Sequence, residues 1–230
     1  MSALRTFIVR ILLKIMWSVG GKADAIDGLP RLSSASIRPL LEALHPGDLV
    51  LLGNNGVLTH IAVHVGAGEV IHAMATEKTM RGWFGSMWDA LRRLFGGTEQ
   101  HVGVVREPLA GFVDRYERDT WVVVRSPADA DGVARGLARI GSLVGKPYDY
   151  GFKVDNEAWY CTEVADAYLK AALGDRAPTL GTRAVSVPLL LRSDVVEPVA
   201  VLDAPGLAVV AANRAAVGNY RERLAGIEIS

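Results

Sequence analysis

The sequence predicts a single α+β domain, with antiparallel strands in its first half and helices before, between and after them. Two patterns lead there. Short apolar runs such as "LVLLG", "THIAVHVG", "EVIHAM", "HVGVVRE" and "TWVVVRS" alternate with Gly- and Pro-bearing turns up to about residue 126. Beyond that point, longer stretches carry apolar residues at helical spacing. With 230 residues and 50% apolar content, the chain can build one sizeable core.

Taken in order, the first element is an amphipathic helix over 1–22. "LRTFIVRILLKIMWSVGG" is too short and too charged for a spanning helix, which needs roughly 20 mostly apolar residues. Arg10 and Lys14 also interrupt what would be the apolar centre of a cleavable signal. Phe7, Ile8, Ile11, Leu12, Ile15 and Met16 share one face, with Arg5, Arg10 and Lys14 off it. Such a helix either packs on the domain or lies in a membrane interface. The expected compartment is the cytoplasm, with peripheral membrane attachment as the variant that this helix allows.

The main domain is expected over 30–230. A short helix around Ile37 to Leu44 and the turn "HPGD" lead into the strand "LVLLG" and then the hairpin. The segment 76–98 does not fit the strand order and reads as an insertion. Within it Phe84, Met87, Trp88, Leu91 and Phe95 fall on one helical face that ends at Gly96-Gly97, and Trp83 adds a further aromatic. After the next two strands, "PADADGVARGLARIGSLVG" predicts a helix with early acids and later arginines, matching its dipole. The Pro- and aromatic-rich loop "KPYDYGFKVDNEAW" then runs into a second helix, whose buried stripe is Val164, Ala165, Tyr168, Leu169 and Ala172. That stripe puts Cys161 at or near the first turn. The tail, short apolar runs broken by Pro and Gly, should supply one more strand and a closing helix.

Composition removes several classes of function. Lys plus Arg and Asp plus Glu are equal at 25 each, so no overall field recruits nucleic acid, and no nucleic-acid partner is expected. A single cysteine excludes an intramolecular disulfide and any multi-cysteine zinc or iron–sulfur site. No cofactor is expected. The lone thiol is either a small buried hydrophobe or a group kept for chemistry.

The hairpin can be worked out by counting. With a turn centred on Gly66-Ala67-Gly68, residues i and 134 − i face each other, so Ala62 opposes His72 and His60 opposes Met74. His60 and His72 are then diagonal neighbours, at a Cα separation of roughly 7–8 Å, able to hydrogen-bond over the small Ala62. His64 lies toward the turn beside Val70, as a bystander. At a helix start, unpaired N–H groups and the dipole favour a thiolate at Cys161. Cys161 as nucleophile, His60 as base and His72 orienting that base would suffice for acyl transfer. The alternatives are core histidines with an inert cysteine, or a zinc site with His60 and His72 as two ligands. For the latter His64 is two pleats from His60 and no H-x-x-x-H pattern is present, so no metal ligand is assigned.

These residues resemble a known superfamily. "PGDLVLL" followed by "THIAVHVGAGEVIHA" is similar to the strand pair of the NlpC-type papain-like peptidases and amidases. "WYCTEV" resembles the Tyr-Cys-Ser-Glu-Leu motif of the circularly permuted YiiX-like and YebB-like amidases, and here it follows the strand pair rather than preceding it. The resemblance covers about 45–175, departs at Thr162 where Ser is usual, and offers no counterpart for 76–98. It implies a permuted papain-like fold, an antiparallel sheet or barrel packed against helices, with the nucleophile at a helix N-terminus. It further implies Cys161, His60 and His72 as catalytic, with a tyrosine of the Cys loop at the oxyanion. Tyr148 and Tyr160 are the leading candidates, and Tyr150 is a third. The twelve-residue spacing of His60 and His72 is also similar to the lecithin:retinol acyltransferase-like branch, whose members move acyl groups on lipids. Trp83, Phe84, Trp88 and Phe95, flanked by Arg81, Arg92 and Arg93, suit either a lid dipping into lipid headgroups or a helix capping the sheet.

The expected function is therefore a thiol hydrolase or acyltransferase acting on a lipid-like ester or amide, with a membrane surface as second partner. Cleavage of γ-glutamyl-type amides in bacterial cell-wall fragments is the alternative enzyme. An inactive binding module of the same fold is the non-enzymatic one.

Overall fold

A computed structural model of the chain describes residues 38–54, 56–74, 103–115, 120–149, 157–187, 191–220 and 222–224. The expected helix over 1–22, the insertion at 76–98 with its four aromatics, and Tyr150 lie outside the described residues. No described helix is long and apolar enough to cross a membrane.

The first described elements are α1 (Arg38–Ala43), β1 (Leu49–Asn54), β2 (Val57–Gly66) and β3 (Glu69–Met74). It continues through β4 (Gly103–Pro108), α2 (Leu109–Arg115), β5 (Thr120–Arg125), α3 (Ala130–Gly141) and α4 (Cys161–Leu173). The last part is β6 (Arg183–Val187), β7 (Leu191–Val195), β8 (Ala208–Ala212) and α5 (Arg214–Asn219). Among the described residues six strands form one open sheet in the order β4-β3-β2-β1-β5-β8, and every neighbouring pair is antiparallel. The α+β expectation holds, in the form of an open sheet rather than a barrel. The helix α2 and the separate β6-β7 hairpin had no counterpart in the sequence reading.

Pleating divides the sheet's side chains between two cores. Ile61, Val63, Ile71, Ala73, Val122 and Val124 pack with Ile140 of α3 and the stripe of α4. Val50, Leu52, Ala62, Val70, Trp121 and Val123 pack with Leu40 of α1 and Phe112 of α2. Buried on both faces, β1 has no solvent side, which is why "LVLL" runs apolar without alternation. The hairpin register follows the count: Val63 pairs with Ile71 and His64 with Val70, each summing to 134. At the tip the turn is shorter than expected. Gly66 pairs with Glu69 around a two-residue Ala67-Gly68 turn with φ of 52° and 72°, and the register shift beside it leaves Val65 as a bulge.

The "PGD" turn supports the cysteine helix. Gly47 has φ +89°, and a Cβ there would stand 2.1 Å from Tyr168 Oη of α4. Asp48, buried, accepts from Arg125 Nε at 2.8 Å and Nη2 at 2.7 Å and from the His45 N–H at 2.7 Å. The two-pronged contact with Asp48 raises the Arg125 pKa against the opposing effect of burial, so the guanidinium stays charged. Gly136 of α3 likewise lets the Tyr168 ring approach, since a Cβ there would meet it at 2.6 Å.

Candidate active site

His60 and His72 meet as the diagonal count requires. His60 Nε2 lies 3.0 Å from His72 Nδ1, with the rings nearly perpendicular at 84°. Both are buried, His72 completely. The sequence reading missed the next member. His72 Nε2 is 2.7 Å from Glu107 Oε1, and Glu107 is itself buried in β4. On β4, Val105 pairs with His72 and Glu107 with Val70, so Glu107 is diagonal to His72 just as His60 is from the other side. Three polar side chains thus form a line across three adjacent strands. Phe112 of α2 covers it, with ring centroids 4.6 Å from His72 and 5.5 Å from His60.

A bulge sits beside His60. Leu52 pairs with His60 but Gly53 with Leu58, leaving Thr59 as the extra residue. As a result Leu58 joins the core of α3 and α4, while His60, two residues on, points toward Phe112.

Cys161 is the first residue of α4, buried at 8% exposure, in the same core as Leu58, Ile61 and Ala73. Its helix packs against β2 and β3, the strands that carry the histidines. Tyr160, extended at φ −107° and ψ 171°, precedes the helix, and its N–H donates to Glu163 Oε2 at 3.0 Å, closing the N-terminus from within. The described contacts therefore bring His60, His72 and Glu107 into one hydrogen-bonded set. Cys161 lies in the core on the other side of the pleat, together with Leu58 from the bulged end of β2.

Tyr160 and Tyr148 differ in their surroundings. The Tyr160 hydroxyl accepts from the Val196 N–H at 3.2 Å. Burial pushes its pKa up to about 12, with negative charge on Glu163, Cys161 and Asp149 acting the same way and the Val196 bond opposing, so it remains a neutral phenol. Tyr148 is half-buried, bridges to Trp159 through the backbone and packs on the core that holds Cys161. His64 points elsewhere. Its Nδ1 is 3.0 Å from the His45 carbonyl, and its backbone pairs with Gly47 and Asp48 at 2.8 Å each, tying it to the "PGD" turn.

Among the described residues no group of three or more His, Cys, Asp or Glu side chains is arranged to hold a metal ion. His72 already uses one ring nitrogen toward His60 and the other toward Glu107.

No family model and no curated protein sequence matches the chain. Among solved structures, the fold is similar to that of the metalloprotein YiiX from Escherichia coli O157:H7. The TM-score is 0.50 and the identity 20%, over 72% of this chain and 96% of that one. At that identity the likeness extends to the fold. The YiiX-like architecture expected from "PGDLVLL" and "WYCTEV" is therefore the one the chain adopts.

Proposed function

We propose that the protein is a thiol-dependent acyl-transfer enzyme, with Cys161 as nucleophile, His60 as base and His72 orienting the base. The observation that carries this reading is the buried hydrogen bond between His60 Nε2 and His72 Nδ1. It holds one imidazole in place with its other nitrogen directed away from its partner, as a general base requires. Cys161 at the start of α4 supplies the complementary half, because helix N–H groups and the dipole stabilise a thiolate and the oxyanion formed next to it. The bulge at Thr59 lies beside His60 on β2, the strand against which the helix bearing Cys161 packs.

In the first step the Cys161 proton passes to His60 as sulfur attacks the substrate carbonyl. The tetrahedral intermediate expels the alcohol or amine, which takes that proton, and leaves a thioester. Water or an acceptor alcohol or amine then gives a proton to His60, attacks the thioester carbonyl and releases Cys161. Tyr148 is assigned to the oxyanion in preference to Tyr160, whose hydroxyl is engaged by Val196. The substrate class is a lipid-like ester or amide, motivated by the basic, Trp-bearing amphipathic segments at 1–22 and 76–98.

The fold neighbour's description as a metalloprotein raises a metal-based reading. Among the described residues the candidate ligands do not fit it as arranged. A cation at His72 would have to displace either His60 or Glu107, so no step is assigned to a metal.

Anionic phospholipid vesicles and soluble muropeptides, each incubated with wild type and Cys161→Ala, test the proposal. Fatty acid or acyl product that depends on Cys161 supports the lipid version. Turnover of muropeptides alone moves the assignment to a cell-wall amidase. No Cys161-dependent product from either, together with a thiol whose alkylation rate is the same in wild type and His60→Ala, refutes acyl transfer and leaves a binding module.

A further inference from the structure

Resting on that reading of His60 as base, we infer that Glu107 is a positioning residue that acts through His72 to fix which ring nitrogen of His60 carries the lone pair. The argument is one of hydrogen-bond valence. With Glu107 ionised the carboxylate can only accept, so the contact of 2.7 Å between Glu107 Oε1 and His72 Nε2 puts a proton on Nε2. A neutral imidazole has one N–H, which leaves His72 Nδ1 as an acceptor. The 3.0 Å contact there must then be donated by His60 Nε2. His60 is left with its lone pair on Nδ1, the nitrogen directed away from the pair. One carboxylate thus sets the direction of both hydrogen bonds.

A neutral Glu107 would do the reverse. Its O–H would donate to His72 Nε2, His72 Nδ1–H would donate to His60 Nε2, and His60 would carry its proton on Nδ1, where it could not accept one from a thiol. Burial sharpens this choice, because His72 is fully enclosed and the tilted Phe112 ring packs with its centroid 4.6 Å from that of His72. When His60 takes the Cys161 proton on Nδ1, the proton leaves sulfur and no proton in the line has to move. The new imidazolium then faces a hydrogen-bonded imidazole backed by a carboxylate.

The ordinary signals for such a residue are absent from the sequence motif, because Glu107 stands outside both the "VIHA" and "WYCTEV" stretches. It is identified by the register of β4 on β3 and by its contact with His72.

The test is long-range ¹⁵N–¹H correlation spectroscopy of the histidine rings in the full-length wild-type protein, at a pH where both rings are neutral. The expected result is a protonated Nε2 and bare Nδ1 on both His60 and His72. A protonated Nδ1 on His72 overturns the inference, and this measurement needs no variant. In Glu107→Gln, whose amide can either accept or donate, the signals should show mixed or reversed tautomers. Alkylation of Cys161 by iodoacetamide near pH 7 should fall on the order of tenfold, the factor set by losing one charge-assisted hydrogen bond. Glu107→Asp should recover part of the rate. Unchanged tautomers in Glu107→Gln overturn the inference. Altered tautomers with unchanged alkylation uphold it, and instead refute the pairing of Cys161 with His60.

Discussion

Substituting Gly47 by Ala tests how the cysteine helix is seated on the "PGD" turn. The added Cβ would lie 2.1 Å from Tyr168 Oη and 3.1 Å from both Tyr168 Cζ and Val133 Cγ1. The backbone itself, at φ +89°, disfavours any L side chain by about 1–3 kcal/mol. Tyr168 is fully buried and held between Gly47 and Gly136, so it cannot swing away without disturbing α3. Relieving the clash should cost a further 1–3 kcal/mol or so, as overpacking does elsewhere. The total, about 2–6 kcal/mol, should lower Tm by roughly 5–20 °C for a domain of this size. The two contributions separate in a double-mutant cycle read by urea denaturation. Among the described residues Tyr168 Oη makes no hydrogen bond of proper geometry, although Ser126 is near it, so Tyr168→Phe alone should be close to neutral. Gly47→Ala placed on Tyr168→Phe should lose most of the clash and retain the backbone cost. If the coupling is below about 0.5 kcal/mol, Gly47 is required for backbone reasons alone, and the contact with the cysteine helix is incidental.

Three further outcomes follow from the described contacts. Arg125→Ala leaves Asp48 buried without its ion partner, and unfolding by urea should show a loss of about 3 kcal/mol, restored in part by adding Asp48→Asn. Tyr160 holds its proton up to about pH 12 when folded, whereas the unfolded phenol loses it near pH 10, so between these values the native state binds more protons and stability falls as pH rises. The decline should be shallower in Tyr160→Phe by up to about 1.4 kcal/mol per pH unit in urea titrations. His64→Gln should shift Tm without changing the ¹⁵N signals of His60 and His72, since His64 binds the His45 carbonyl rather than that pair.

What could be read in advance depended on whether a register could be counted. His60 and His72 sit on two strands joined by a short turn, so period-two pleating places them without knowledge of the rest of the fold. The bulge at the tip did not disturb that count, because the pairing beyond it keeps the sum the sequence implied. Glu107 lies on β4, which follows β3 only after residues 75–102, and no loop count bridges such a gap. Its parity, inward on an edge strand between exposed Arg106 and Pro108, was the available sign of a buried acid. Phe112 was harder still. The seven-residue α2 has no acid in its first turn, and too few turns to show a period. The stripe of α4 was legible for the opposite reason, since thirteen residues give the 3.6-residue repeat time to declare itself.

The order of these elements along the sequence has a consequence for the growing chain. Residues 57–112 contain the whole line from His60 through His72 to Glu107, together with the Phe112 ring that covers it. Synthesis therefore delivers the histidines and their carboxylate before the helix bearing the chain's one cysteine is made. The sheet cannot close its far edge until β8, which pairs with β5, has followed. The 160 residues ahead of Cys161 carry no sulfhydryl to oxidise, acylate or cross-link.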